Sequence, residues 1–399
     1  MGEVRQRLTW GDLGQLFDGP HATPRRRDEG PYFLNIASLK AGRLDLSESD
    51  HVSDEDFAKW TRRVTPQADD LLFSYETRLG EAALMPPGIR ACLGRRMALI
   101  RPNRDVVDPR FLLYFYLSPD FRRVIEKNTI HGATVPRIGL ATMPQWEVEL
   151  PPIEEQRAIA EVLGALDDKI AANDRAVRAS LDLAATLFAR AVRGVAPGEH
   201  TFAQLADVGG GGTPKTSVDE YWGGDVAWAT PTDVTGLSAP YLRATSRTIT
   251  EDGLAACSSA LYPAGSILMT SRATIGAFAI AQRPTAVNQG FIVVNAHDPT
   301  YQWWLFHEMQ DRVAEFLNHA NGATFLELPR GRFKALPVRL ADPGVIAEFA
   351  AAVAPIHDAA AQLSIESECL AATRDALLPL LMSGKIRVKD AERAVDGVR

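Results

Sequence analysis

From Ile346 onward, apolar residues recur at alternating spacings of three and four: Ile346, Phe349, Val353, Ile356, Ala360, Leu363, Ser367, Leu370, Arg374, Leu377 and Leu381. Nine of these eleven are apolar, so the stretch reads as a helix with a heptad seam. A second such stripe runs through Ile159, Leu163, Leu166, Ile170, Asn173, Val177, Leu181, Ala184 and Phe188. Pro151-Pro152 ends what precedes the first helix, and Asp342-Pro343-Gly344 precedes the second; proline suits a helix start, where its missing N–H is not needed. At about 1.5 Å per residue, Ile346–Leu381 extends roughly 50 Å. Each seam needs a cover, and the other helix is the nearest candidate. The two are expected to pair as an antiparallel coiled coil, with packing of each on its own domain as the alternative. Asn173 on the seam lowers stability and fixes register. Pro355, inside the second seam, removes a helix hydrogen bond at a cost of about 3 kcal/mol. It predicts a kink within Ala351–Ile356, or a break with the helix restarting at Pro355.

Outside the helices the pattern changes. Short β-like runs such as "MALI" (Met97–Ile100), "ILMT" (Ile267–Thr270) and "FIVV" (Phe291–Val294) alternate with Gly, Pro and Asn turns. Helices are expected around Pro109–Lys127 and Thr300–Asn318. The chain also repeats itself. "IAE" and "LAAT" recur at one offset of 187 residues: Ile159–Glu161 with Ile346–Glu348, and Leu183–Thr186 with Leu370–Thr373. "LLFSYETRLG" (Leu71–Gly80) answers "ILMTSRATIG" (Ile267–Gly276) at 196. "HGAT" (His131–Thr134) answers "NGAT" (Asn321–Thr324), and "ATP" (Ala22–Pro24) answers "GTP" (Gly212–Pro214), both at 190. Matches in one order with slowly drifting offsets indicate a tandem duplication. The expected fold is α+β: two similar α/β domains, residues 1–150 and 197–341, joined by two long helices in an antiparallel coiled coil with pseudo-two-fold symmetry. The helices fall at 151–196 and 342–388, with a tail at 389–399.

Composition narrows the function classes. Hydrophobic residues make up 46% and charged residues 23% of the 399, enough apolar content for packed cores. No uninterrupted apolar run approaches the roughly 20 residues of a membrane helix, and the first residues lack the apolar segment of a signal peptide; a cytoplasmic protein is expected. Cys92, Cys257 and Cys369 form no CxxC pair and read as buried or half-buried small side chains; the eight histidines show no metal-ligand spacing. No bound metal or cofactor is expected in this chain. Net charge is −7; residues 1–150 carry 21 cationic and 21 acidic side chains, so the remainder carries the whole deficit. A free-standing nucleic-acid binder has a basic surplus, so any DNA role here rests on local patches or on partner subunits.

The run "GGGGTPKTSVDEYWGGD" (Gly209–Asp225) invites comparison with a phosphate-binding loop. That motif needs a glycine before the Lys-Thr pair. Here the residue is Pro214, which has no N–H for a phosphate, and no helix pattern follows. Neither a GxSxG elbow nor a GxGxxG between strand and helix is present. The acidic pairs Asp69-Asp70 and Asp167-Asp168 read as solvated turn and helix faces. Trp222 and Trp228 read as core.

"GGTPKTSVDEYWGGDVAWATPTDV" (Gly211–Val234) resembles the start of a target-recognition domain in the DNA-specificity (S) subunit of type I restriction–modification systems. "GSILMTSRATIGAFAI" (Gly265–Ile280) and "AVNQGFIVV" (Ala286–Val294) continue the likeness. So do "DGPHATP" (Asp18–Pro24), "ACLGRRMALIRP" (Ala91–Pro102), "TVPRIGLATMPQWEVELPPIEEQRAIAEVLGALDDKI" (Thr134–Ile170) and "RDALLPLLMSGKIRV" (Arg374–Val388). Pro355, the "FLELPRG" segment (Phe325–Gly331) and the acidic net charge depart from the family pattern. The resemblance implies a non-catalytic reader of a bipartite, asymmetric double-stranded DNA site, with the helices as spacer. It implies two modification (methyltransferase) subunits as partners, with S-adenosylmethionine held by them for adenine methylation, and a restriction (motor-nuclease) subunit as a further partner. Base readout needs Arg, Lys, Asn or Gln at groove edges, and phosphate contacts need hydroxyls, N–H groups and cations. The candidate DNA contacts are His21, Thr23, Arg25, Arg26 and Arg27; their counterparts Thr213, Lys215 and Thr216; Tyr75, Thr77 and Arg78, aligned with Ser271, Arg272 and Thr274; and Arg95 and Arg96, set against Gly290 and Phe291. The competing readings are a protein-interaction scaffold with a dimerising coiled coil, and an enzyme with its own active site, for which no constellation is visible.

Overall fold

The computed structural model describes residues 5–132, 135–322 and 326–396. Parts of the HGAT and NGAT matches, Ala133-Thr134 and Ala323-Thr324, therefore lie outside the described residues, as does Phe325 of the FLELPRG segment. The chain divides into two compact units. One comprises everything up to Ile170 together with everything from Glu368 onward; the other is Ala171–Ser367.

In the first unit, strands Gly14–Asp18, Met97–Pro102, Leu71–Ser74 and Ala82–Leu84 form an antiparallel sheet in that order. The two central strands are apolar runs buried along most of their length, as a strand covered on both faces requires. A second sheet sets Arg27–Leu34 between Asp50–His51 and Ala91–Leu93, the latter pair parallel. The single helix expected over Pro109–Lys127 is two, Pro109–Leu117 and Pro119–Asn128. Asp108 accepts from Phe111 N, and Ser118 accepts from Phe121 N. Each cap is followed by a proline, which opens a helix well and cannot carry on the preceding one. The helix expected over Thr300–Asn318 is likewise two, Gln302–Asp311 and Val313–Asn318.

The second unit repeats the plan. Strands Ala206–Gly209, Phe291–Ala296, Ile267–Thr270, Phe278–Ala281 and Tyr241–Leu242 form one sheet; Arg247–Ile249, Trp222–Ala229 and Thr285–Val287 form another. The registers correspond. Met97 faces Ser74 as Phe291 faces Thr270, and Phe33 runs parallel to Cys92 as Trp228 does to Ala286. Cys92 is buried and Cys257 half-buried, as expected; Cys369 is exposed.

The long helices are Ile153–Ala191 and Pro343–Met382, and each contributes a segment to both units. Within the first unit, Ile159, Leu163, Leu166 and Ile170 share one core with Leu370, Leu377 and Leu381. Within the second, Val177 shares a core with Ala360, while Ala184 and Phe188 pack with Ile346, Phe349 and Val353. There the partners descend as the first helix ascends: Asn173 bonds Glu366 at 2.8 Å, and Phe188 meets Phe349 edge-on at 5.6 Å, so the segments are antiparallel. Asn173 is buried on the seam, as the register argument requires.

Several expectations are corrected. The second helix continues through Pro355 without a break or restart. Pro355 and Ala351, whose carbonyl lacks its N–H partner, lie on the exposed face where water can satisfy that carbonyl, while Val353, His357 and Ala360 are buried and hold the turn in place. The helix ends at Met382 rather than at 388, and a separate helix, Val388–Asp396, occupies most of the tail and sets Ala391 into the first core. Only one member of each acidic pair is a solvated face: Asp69 and Asp168 are open to solvent, whereas Asp70 and Asp167 are not. Asp70 is buried and takes two hydrogen bonds from Arg101 at 2.9 and 2.8 Å; Asp167 receives Arg374 at 2.6 Å and the Tyr114 hydroxyl at 2.5 Å. By length and mean hydropathy, Pro343–Met382 would also reach across a bilayer. Its bulky residues Ile346, Phe349 and Val353 are committed to protein contacts, and many outward positions are Ala, a helix former that adds little apolar bulk.

A buried polar chain locks the second long helix to its unit. His307 and His357 approach Nε2 to Nε2 at 3.0 Å, Tyr241 Oη lies 2.9 Å from His357 Nδ1, and Trp303 stacks on His357 at 4.0 Å. Facing ring nitrogens require one donor and one acceptor, so the two rings cannot both be charged. Burial holds His307 down at about 4; burial and the neighbouring His307 hold His357 at about 3. Unfolded histidine titrates near about 6.5, so below that pH the unfolded chain binds more protons than the folded one. Stability is then full above about pH 6.5 and declines as pH falls toward these values. The thermal midpoint of the chain should accordingly fall between about pH 6.5 and 5, above the range where carboxylates titrate; a flat midpoint over that window contradicts the neutral pair.

Candidate nucleic-acid interface

Each unit carries the same exposed turn after its inner strand. In the second unit, Ile267–Thr270 runs into Ser271, Arg272, Ala273 and Thr274. Thr270 Oγ1 accepts from Ala277 N at 2.9 Å and donates to Thr274 O at 2.5 Å, which pins the turn. Ser271 N donates to Gly290 O at 2.8 Å, Leu328 N to Ser271 O at 2.9 Å, and Ala273 N to Leu326 O at 3.1 Å. In the first unit, Tyr75 N donates to Arg96 O at 3.1 Å, Ile138 N to Tyr75 O at 2.8 Å, and Thr77 N to Pro136 O at 3.4 Å. Thr77 and Ala273 both take a left-handed backbone, and Gly80 and Gly276 both have φ of 87°.

This matching fixes the correspondence of the two turns. Tyr75 corresponds to Ser271, Glu76 to Arg272, and Arg96 to Gly290. The counterparts of Arg95 and Arg96 are therefore Gln289 and Gly290, one residue away from the pair expected from sequence offsets; a small indel is invisible until strands are paired.

The expected contacts separate into supports and exposed groups. Tyr75 and Ser271 are 7% and 4% exposed, and burial pushes the Tyr75 phenol upward; both prop the turn from inside. Arg78 is tied back, donating to Ile36 O at 2.9 Å with Glu81 beside it. Arg96 Nε lies 3.1 Å from Glu76, and Arg272 donates to Glu327 at 2.8 Å. Thr77 and Thr274 are exposed. Thr213 is exposed and donates to Gln289 at 2.7 Å, bringing the glycine segment beside the Ser271 turn; Lys215 and Thr216 are exposed further along. A polar cavity of about 180 Å³ there is lined by Ser271, Arg272, Gln289, Glu327 and Arg330.

The segment His21–Arg27 is exposed apart from Pro24. Arg26 pairs with Asp50 at 3.2 Å, Arg27 opens a strand, and His21 lies 3.5 Å from Asp18. His21 also lines a groove of about 340 Å³ with Asp18, Lys59, Trp60, Arg62 and Arg63, where Asp18 takes Arg63 at 2.6 Å; its cations are absent from the candidates chosen on sequence. The run "KWTRR" (Lys59–Arg63) is the signal that marks it. Glu327 and Arg330 are further residues that motif reasoning does not find, because the FLELPRG segment matches no family pattern. Among the described residues, Arg25, Arg62, Arg95, Arg137 and Lys215 are exposed and make no ion pair, which leaves their charge available. Trp228 is buried and donates to Gly212 O at 3.1 Å; Trp222 is half-buried, with the Arg247 guanidinium 3.5 Å above its ring. No group of three or more His, Cys, Asp or Glu side chains among the described residues is placed to hold a metal.

The glycine run serves close packing. A Cβ on Gly211 would lie 1.8 Å from Val287 O, and one on Gly209 would lie 2.1 Å from Tyr262 Oη. Tyr262 donates to Gly210 O at 2.6 Å. The segment threads between strands and turns, and its glycines remove side chains that would collide.

Two copies of one β scaffold, each displaying a charged turn beside a polar surface, define a duplicated recognition protein. Residues 39–181 and 199–343 each match the family described as type I restriction modification DNA specificity domain, and the chain belongs to that family. It is 37% identical over 141 residues to the type I restriction enzyme MjaIX specificity subunit of Methanocaldococcus jannaschii, covering 35% of this chain and 33% of that protein. The matched region thus spans about a third of that relative. Similarity to the HindI specificity subunit of Haemophilus influenzae is lower but longer: 23% identity over 373 residues, 73% of this chain and 80% of that one. The fold is similar to the crystal structure of the type I restriction-modification system S subunit from M. genitalium, with a TM-score of 0.61 at 16% identity over 95% of this chain and 96% of that one.

If the glycine run is a packing element, Gly211→Ala should destabilise the second unit by about 1–3 kcal/mol, the cost of overpacking, or more if the backbone cannot shift. Chemical denaturation measures this; an unchanged midpoint means that the segment has room the contacts deny.

Proposed function

We propose that this chain is the DNA-reading subunit of a type I restriction–modification complex, with each α/β domain reading one half of a bipartite, asymmetric double-stranded site. One observation carries this: the two domains share a turn scaffold, bond for bond, and differ in the side chains that scaffold displays. Duplicated heads with one frame suit two contacts of the same kind, and divergent exposed residues suit different sequences at each. The long helices serve as spacer and as docking surface for two modification subunits. Those subunits hold S-adenosylmethionine and flip the target adenine out of the stack; this chain is non-catalytic. A restriction subunit joins where unmodified DNA is cut.

In the first domain, phosphate contacts fall to Arg25, Arg62, Arg63 and Lys59 around the His21 groove, with base-edge contacts from the Glu76–Arg96 turn. In the second, Lys215, Thr216 and Thr213 lie near the Arg272 turn. Of the groove cations, Lys59 and Arg63 already pair with Glu55 and Asp18, many other arginines are held by acids, and the net charge is −7, so much of the attraction for DNA comes from partners. The complex acts in the cytoplasm, where its DNA lies.

Replacing residues 1–150 with the corresponding domain of another family member should change one half-site of the methylated sequence and leave the other intact. Changes at both ends would contradict modular reading. In the complex with modification subunits, Arg62→Ala with Arg63→Ala should reduce the salt dependence of DNA binding. The log–log slope should fall by about 0.9 for every phosphate that is no longer neutralised. An unaltered slope removes the groove from the interface.

A further inference from the structure

The two turns carry opposite charge at one place. Glu76 and Arg272 occupy the same position, one residue past the buried prop. Each faces a residue on the same crossing segment, Arg137 across from Glu76 and Glu327 across from Arg272, through equivalent backbone bridges. Each is braced by an opposite charge from within its own unit: Arg96 Nε stands 3.1 Å from Glu76, and Glu327 accepts from Arg272 at 2.8 Å. All four braced side chains are part exposed. Three of the five non-glycine residues with left-handed backbone among those described, Thr77, Arg96 and Ala273, sit at these two turns. Backbone strain of that kind persists where surrounding structure enforces it and gathers at functional sites.

Resting on the DNA-reading function above, we infer that Glu76 and Arg272 are the equivalent specificity-determining positions of the two domains, reading base edges with opposite chemistry. Arg272 Nη2 commits one N–H to Glu327, and the outer edge of the guanidinium, Nη1 with the second N–H of Nη2, remains to donate to guanine O6 and N7. Glu76, held by Arg96, accepts from the N4 amino group of cytosine. These are the pairings that major-groove geometry favours for each side chain. The brace orients the reader in both cases. Inversion of charge on one scaffold explains how a duplicated domain distinguishes two half-sites without rebuilding its backbone.

The test uses the full chain in its complex with the modification subunits, and reads methylated sites on a duplex library randomised across both half-sites. The unaltered complex must first yield a bipartite site; absence of any sequence preference overturns the function proposed above and not merely this assignment. Arg272→Glu with Glu327→Arg keeps the ion pair and reverses its direction. The expected result is an altered base preference at one position of one half-site, with the other half-site unchanged. Glu76→Arg with Arg96→Glu should do the same at the opposite half-site. Return of the original preference in both reversed pairs overturns the assignment, because a purely structural bridge is restored by reversal. A uniform loss of methylation on all sequences by folded complex overturns it too, since that marks a phosphate contact. Should a reversed pair fail to fold, Arg272→Lys retains charge without the planar fork. It should relax preference at that single position by at least about fivefold, the lower range for one bidentate contact; undiminished selectivity overturns the inference.

Discussion

The apolar seam of the long helices is the constraint on which both domains depend. Each unit closes its core with helical segments that lie far apart along the chain. The first needs Leu370, Leu377 and Leu381 from the far end of the chain beside Ile159 and Leu163; the second needs Ile346 and Val353 beside Ala184 and Phe188. Burial of these side chains contributes on the order of 1.5–3 kcal/mol each, so losing one helical segment opens a core. Closing such distant contacts carries a loop-entropy cost and slows folding. Polar pins set the alignment that apolar contacts alone leave loose. Asn173 reaches Glu366, and Asp167 gathers Arg374 and Tyr114. A slip of one residue on either seam would strand these groups without partners, which is costly where water is excluded.

Duplication is preserved in the backbone and has diverged at the surface. The turn bonds through Tyr75 and Ser271 are the same although the side chains differ in size and polarity, because the main-chain groups do the bonding. The side chain at that point is enclosed and only supports. One residue further on, where the chain emerges, acid and base are exchanged. The scaffold tolerates the exchange because each charge meets an opposite one close by, so neither domain is left with an uncompensated group. Arginine suits this arrangement: its fork of donors holds a carboxylate on one edge while another edge stays available.

Charge placement also explains how an acidic chain serves a DNA-directed family. Many of its arginines are neutralised where they stand, as Arg101 is by Asp70 and Arg312 by Glu308 and Glu315. Among the described residues, other exposed cations stand outside ion pairs, Arg25, Arg62, Arg95, Arg137 and Lys215 among them. Under the proposed function, long-range attraction is shared with the assembled complex and the surface of each domain contributes short-range selection, a division that electrostatic steering permits.

The sequence by itself determined whatever depends on local periodicity and order: the two seams, the duplication, the central strands, the place of Asn173 on the seam and the rejection of Pro214 as part of a phosphate loop. It also placed Arg272, Arg96 and the His21–Arg27 segment among the candidates. What it left undecided turned on which distant groups meet. Tyr75 looks like a contact residue until the core closes over it. Asp70 and Asp167 look solvated until Arg101 and Arg374 arrive. Pro355 looks like a helix breaker until it is seen on the exposed face of the helix, with Val353 and His357 buried on either side. The glycine run acquires its reason only when Val287 and Tyr262 pass within collision distance. Spacing along a chain encodes which face of an element is apolar; burial, pairing and strain are properties of neighbours brought together by folding, and tertiary structure alone decides those.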